Sequence, residues 1–186
     1  MGVAINCILI RNTSPEEILE EINCVIDKEK EVKDYIPKRG ELLISTWQES
    51  NVLFLESDDF ICIPDKLALL SRERELLICT VCEGAMVSYC SKWEYGNLSW
   101  KISFEPSTED MIYKLASLNI DQAKLDQLNA KANEEVKLYD LDESQVGFLV
   151  PIILFDEHAK FRYDNEKMFH EYTALFRYVI TAEKAK

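Results

Sequence analysis

The chain is poor in glycine and proline, with five of each, and it holds only two histidines. Glycines scattered at 2, 40, 84, 96 and 147 cannot cradle a phosphate, and neither G-x-x-x-x-G-K nor G-x-G-x-x-G occurs. His158 and His170 form no H-E-x-x-H pair, and no G-x-S-x-G nucleophile elbow accompanies them. His170 follows Glu166 by four residues, the spacing of an ordinary helical contact. No catalytic residue, cofactor or metal site is therefore signalled. Nothing approaches eighteen uninterrupted apolar residues, so a membrane-spanning helix is not expected. The opening Met1-Gly2-Val3-Ala4-Ile5-Asn6 lacks a basic n-region and the myristoylation pattern, which predicts a cytoplasmic protein. Linkers rich in Gly, Pro or Ser are missing as well, and residues 1–186 read as a single globular domain.

Positive charge is also short. Lysine and arginine number 21 against 34 acidic residues, for a net charge of -13. Such a field repels nucleic-acid phosphates and anionic lipid, so neither is an expected partner. A basic protein would instead be steered in, although acidity also serves plain solubility.

Six cysteines, at 7, 24, 62, 79, 82 and 90, stand mostly inside apolar runs, where a thiol serves as a small hydrophobe. The spacing is not that of a secreted disulfide scaffold, which points to a reducing compartment. Cys79-Thr80-Val81-Cys82 is a C-x-x-C, yet it sits in a strand pattern. Residues three apart on a strand face opposite sides, so the two sulfurs cannot share a metal. Asp140-Leu141-Asp142-Glu143-Ser144 begins like a calcium loop but has Gln145 at the glycine position and Pro151 at the closing glutamate.

Among the elements that are signalled, residues 3–10 read as a buried strand. Ser14-Pro15-Glu16-Glu17 then opens a helix with a capping box, followed by Ile18, Leu19, Ile22, Val25 and Ile26 at helical spacing. From residue 41 the period changes to two, predicting strands over 42–46, 52–56, 60–63 and 76–82, with a short helix over 65–74. A hairpin follows, with arms 85–94 and 98–105 around Tyr95-Gly96-Asn97. Leu98, Trp100, Ile102 and Phe104 are assigned to its core face, and Ser99, Lys101, Ser103 and Glu105 to water. Ser107 and Asp110 cap a predicted helix bearing Met111, Ile112, Leu115 and Leu118, and Asp121 starts another, to about Val136. Residues 148–155 read as a buried strand bent by Pro151, and a last helix carries Met168, Phe169, Tyr172, Leu175, Phe176 and Val179. The expected class is α+β: a mainly antiparallel sheet with an N-terminal strand-helix unit and C-terminal helices packed on one face.

On the first helix Glu16, Glu17, Glu20, Glu21 and Asp27 fill the arc opposite the apolar one. Early glutamates favour the positive end of a helix dipole, which accounts for some of them. As a functional surface, the same five residues would dock lysine and arginine side chains.

Glu83-Gly84-Ala85-Met86-Val87-Ser88, Trp93, Gly96 and Trp100-Lys101-Ile102 are followed late in the chain by Val150-Pro151-Ile152 and Phe161-Arg162-Tyr163-Asp164, and together these residues make up one pattern. It resembles uncharacterised bacterial proteins of the small accessory, immunity-like kind, in which M-x-S…W-x-x-G…W-x-V precedes F-[KR]-x-D. Tyr163 stands where that pattern has His. The resemblance covers about a quarter of the chain and implies no activity. Together with the net charge and the missing catalytic motifs, it leads to the expectation of an acidic cytosolic binding protein of the immunity type, which would neutralise a basic bacterial toxin by direct binding. The alternative is a small-ligand binder or enzyme with a pocket between sheet and late helices, walled by Trp47, Trp93, Trp100 and Tyr163.

Overall fold

The computed structural model describes residues 3–22, 31–32, 41–48, 51–57, 61–107, 112–164 and 175–179. Val25, Ile26, Asp27, Cys24 and His170 lie outside them, as do Met111 and residues 168–172 of the expected last helix. The described strands form one sheet in the order β2-β9-β3-β4-β1-β5-β6-β7-β8, with every pairing antiparallel. They are β1 (Ala4–Ile10), β2 (Glu31–Val32), β3 (Glu41–Trp47), β4 (Asn51–Glu56), β5 (Leu76–Cys82), β6 (Val87–Glu94), β7 (Asn97–Pro106), β8 (Tyr113–Leu118) and β9 (Leu175–Val179). The helices are α1 (Pro15–Glu21), α2 (Pro64–Leu70), α3 (Gln122–Leu138) and α4 (Val146–Ala159). The class is α+β, as expected.

Strand β1 lies inside the sheet because both its faces are apolar. Cys7 and Leu9 point into one core with Leu43, Leu55, Leu77, Cys79 and α4, while Ile8 and Ile10 join Ile18, Leu19, Leu67 and Leu70 in a second core. Helices α1 and α2 thus cover the face opposite α3 and α4, so the sheet is sandwiched rather than covered on one side. The capping box forms as read: Glu17 N donates to the Ser14 hydroxyl, and the Glu17 carboxylate accepts from Ser14 N.

Four element assignments are corrected. Residues 61–63 are not a strand; the fully buried Glu56 carboxylate accepts from the Ile61 and Cys62 amides at 2.9 and 3.1 Å, turning the backbone toward α2. The expected helix after Ser107 is strand β8, because Lys114, Leu115 and Ala116 complete the sheet beside β7. Residues 148–155 are the middle of α4, buried without a break between sheet and α3. A helix apolar all round is a buried helix, and periodicity alone cannot separate it from a buried strand. Leu175–Val179 is β9, paired with β3 and β2, where a helical stripe was expected.

The hairpin turns on Tyr95 and Gly96, both at positive φ (53° and 74°), as a two-residue primed turn requires. Lys92 pairs with Trp100 and Trp93 with Leu98, leaving Ser99 as an extra residue. That bulge moves Leu98 off the face of Trp100, Ile102 and Phe104, which pack toward α4 as expected. Ser103, assigned to water, is buried between Tyr89 and Ala116.

Candidate functional site

The predicted acidic surface on α1 is divided by the fold. The Glu17 carboxylate is held by the Thr13 hydroxyl at 2.8 Å and by Ser14 N, which pull its pKa below the usual carboxylate value. Glu21 pairs with Arg74 at 2.6 Å. Glu16 and Glu20 remain exposed. The fifth residue, Asp27, lies outside the described residues.

A larger acidic feature sits at the other end of the chain's topology, where α3, α4 and the β5–β6 corner converge. A cleft of about 1030 Å³ opens there, lined by Glu83 and Met86 of the corner, Glu135 of α3 and Tyr139 just after it, Leu141, Gln145, Phe148 and Leu149 around the start of α4, Asp156 near its end, and Arg162, Tyr163 and Asp164 beyond it. Its backbone is shaped by non-glycine residues in the left-handed region: Met86 (φ 52°), Asp140 (52°) and Lys160 (53°). A side chain as large as Met86 rarely adopts that conformation, and such local strain concentrates at functional sites.

Arg162 is the one basic side chain among the described lining residues, and its guanidinium is fully engaged. It donates to both oxygens of Glu135 at 2.8 Å and to Asp164 at 2.8 and 3.2 Å. Burial alone would lower its pKa, but the two carboxylates more than offset this and raise it. Tyr163 donates to Glu83 at 3.1 Å, and the other Glu83 oxygen accepts from Val3 N. Burial, then the Glu83 charge, pushes the Tyr163 hydroxyl well above its usual range, so it stays protonated. The two stretches that carried the sequence resemblance, 83–88 and 161–164, therefore meet here through Tyr163 and Glu83.

Asp156 is the exception in the cleft. Its carboxylate makes no hydrogen bond or ion pair with the described residues, and half-burial raises its pKa despite Arg162 and Lys160 nearby. It also stands in the last turn of α4, where the helix dipole disfavours an anion. Its neighbour Glu157 shares that turn but is held by Lys124 and Lys131. Those two cations offset the effect of burial and lower its pKa.

The arrangement can receive a cation. Its described lining residues include no Ser, Thr, Cys, Lys or His, and among the described residues no group of three or more Asp, Glu, His or Cys could hold a metal. The four aromatics expected to wall a pocket are dispersed. Tyr163 lines the cleft, whereas Trp47 is a core residue donating to the Ala159 carbonyl at 2.9 Å. Trp93 packs in the α1–α2 core. Trp100 borders a separate small hollow with His158. Of the C-x-x-C, Cys79 is buried under α4 and Cys82 points to the other side, both as free thiols. The sequence singled out neither Glu135 nor Asp156, because they lie in separate elements, and it named Glu83 only within the resemblance. The readable signal was Asp156-Glu157 at a helix C-terminus, had residues 148–155 been read as helix. No family model, curated protein or solved structure matches the chain.

Proposed function

We propose that the protein binds a basic protein partner directly, in the manner of an immunity protein that neutralises a cationic bacterial toxin in the cytoplasm. The observation that carries this reading is the open cleft, in which four carboxylates face a single guanidinium already engaged by two of them. A cation arriving there finds acceptors without displacing an existing pair. The net charge of -13 supplies long-range attraction of the same sign. Glu16 and Glu20 on α1 add a separate exposed acidic strip, which steers an approaching partner more than it holds one.

The test is to isolate basic proteins retained by the immobilised chain and to measure their association rate at two salt concentrations. Steering between separated charges is screened beyond about 8 Å at physiological ionic strength, so the on-rate should fall with salt. Changing Glu16, Glu20 and Asp27 together to Lys takes the net charge from -13 to -7 and should slow association, and the changes at the exposed Glu16 and Glu20 should leave Tm nearly unmoved. A salt-independent on-rate unaltered in the triple variant would remove α1 from the docking surface. Recovery of no basic partner would favour the second reading, a small cationic ligand, which the cleft's volume of about 1030 Å³ accommodates.

A further inference from the structure

We infer that the corner between α3 and α4 is the docking surface, and that its occupant is a basic segment of the partner that lays an apolar side chain on Tyr139 and Leu141 and sends a Lys or Arg into the cleft toward Asp156. This rests on the basic-partner reading and adds where and how the partner sits.

The first ground is exposed apolar surface in one place. Leu138, Tyr139 and Leu141 are 74, 65 and 37 % exposed, and the last two form the mouth of the cleft. Exposed tyrosine beside aliphatic side chains is characteristic of interface centres, and leaving it in water gains the fold nothing. The second ground is rigidity. Tyr139 N donates to the Glu135 carbonyl at 3.0 Å, and Leu141 N to the Val136 carbonyl at 2.9 Å. The Asp142 carboxylate then accepts from Ser144 N at 2.8 Å, fixing the turn that leads into α4. The apolar side chains are thus presented on a corner already ordered, so little conformational entropy is lost on binding.

Charge selects the occupant. Residues 134–144 hold five acidic side chains and one lysine, Lys137, and Asp156 lines the cleft with no hydrogen bond or ion pair among the described residues. A second copy would bring the same carboxylates against one another, and an anionic membrane would be repelled. A segment combining arginine or lysine with leucine-like residues satisfies both the apolar rim and the acidic interior.

The experiment uses the full chain, isotopically labelled for NMR, and two probes: an amphipathic helical peptide of arginine and leucine, and oligolysine of equal charge. The expected result is that the arginine–leucine peptide shifts resonances in 135–149 and 156–164 and binds more tightly than oligolysine. Tyr139→Ser with Leu141→Ser should weaken that peptide by about tenfold or more, as for loss of an interface anchor. Tm should hardly move, because both side chains are exposed. Asp156→Asn should weaken both probes. Binding that maps to α1, or that is indifferent to the double variant, overturns the docking corner while the acidic-binder reading stands. Failure of both probes to bind overturns both.

Discussion

Gly147 sits where the start of α4 packs against the Phe104 ring of β7. A Cβ built there would lie 2.4 Å from Cε2 and 2.5 Å from Cδ2 of Phe104, so the ring would have to move. Alanine improves helix propensity by about 1 kcal/mol, whereas overpacking a core costs about 1–3 kcal/mol. Gly147→Ala should therefore be net destabilising in denaturant melts. In a Phe104→Leu background the same substitution should become neutral or stabilising; a penalty equal in both backgrounds would mean that the ring is not the obstacle. Asp156 gives a second prediction at this scale. Burial raises its folded-state pKa from 3.8, so at pH between the unfolded and folded values the native form holds a proton that the unfolded chain has lost. Stability contributed by that proton is intact below the unfolded pKa and declines as pH rises toward the folded one. Asp156→Asn, which cannot ionise, should match the parent near pH 3 and exceed it in Tm at neutral pH. The gain should stay under about 1 kcal/mol because the group is half exposed. A variant less stable at pH 7 would show that the carboxylate has a partner in the fold.

At the level of elements, Cys7, Cys79 and Cys90 stand opposite one another across β1, β5 and β6, all beneath α4. Burial pushes each thiol well above its usual pKa, which suppresses the reactive thiolate. A thiol reagent at pH 8 should leave these three unmodified in the native protein and label them after denaturation. Rapid native labelling would mean that α4 lifts from the sheet. The strand β1, the α1 capping box, the β6–β7 turn and α3 were legible in the sequence, since each is specified by neighbouring residues. Ser14 with Glu17, and Tyr95-Gly96, need no distant partner to adopt their geometry. Helix α4 and strands β8 and β9 were misread because tertiary placement decides them. Residues 148–155 are apolar on every side, and residues 175–179 show a helical stripe yet pair with β3. The cleft was less legible still. Its carboxylates come from a corner, two helices and a turn, and only Arg162, Tyr163 and Asp164 form a contiguous signature.

For the molecule as a whole, the two-sided sheet separates the two acidic regions. Glu16 and Glu20 lie on α1, across the sheet from α3, α4 and the cleft, so a single small partner cannot cover both and their contributions to binding should be additive. The sheet order also has a consequence in time. Ile44 pairs with Phe176 and Glu41 with Val179, so β9 fills a place inside the sheet that β3 exposes from early in synthesis. Well over a hundred residues must leave the ribosome before that edge is paired, and closing so long a loop is slow. Until then the nascent chain presents β3 as an open edge, the kind of surface that recruits other strands. A chain stopped after Asp164 should keep β1, β5 and α4 packed yet aggregate, and a synthetic peptide spanning 165–186 supplied during refolding should rescue its solubility. If the shortened chain stays monomeric unaided, vacancy beside β3 is harmless, and the cell has no need of a chaperone to guard it during translation.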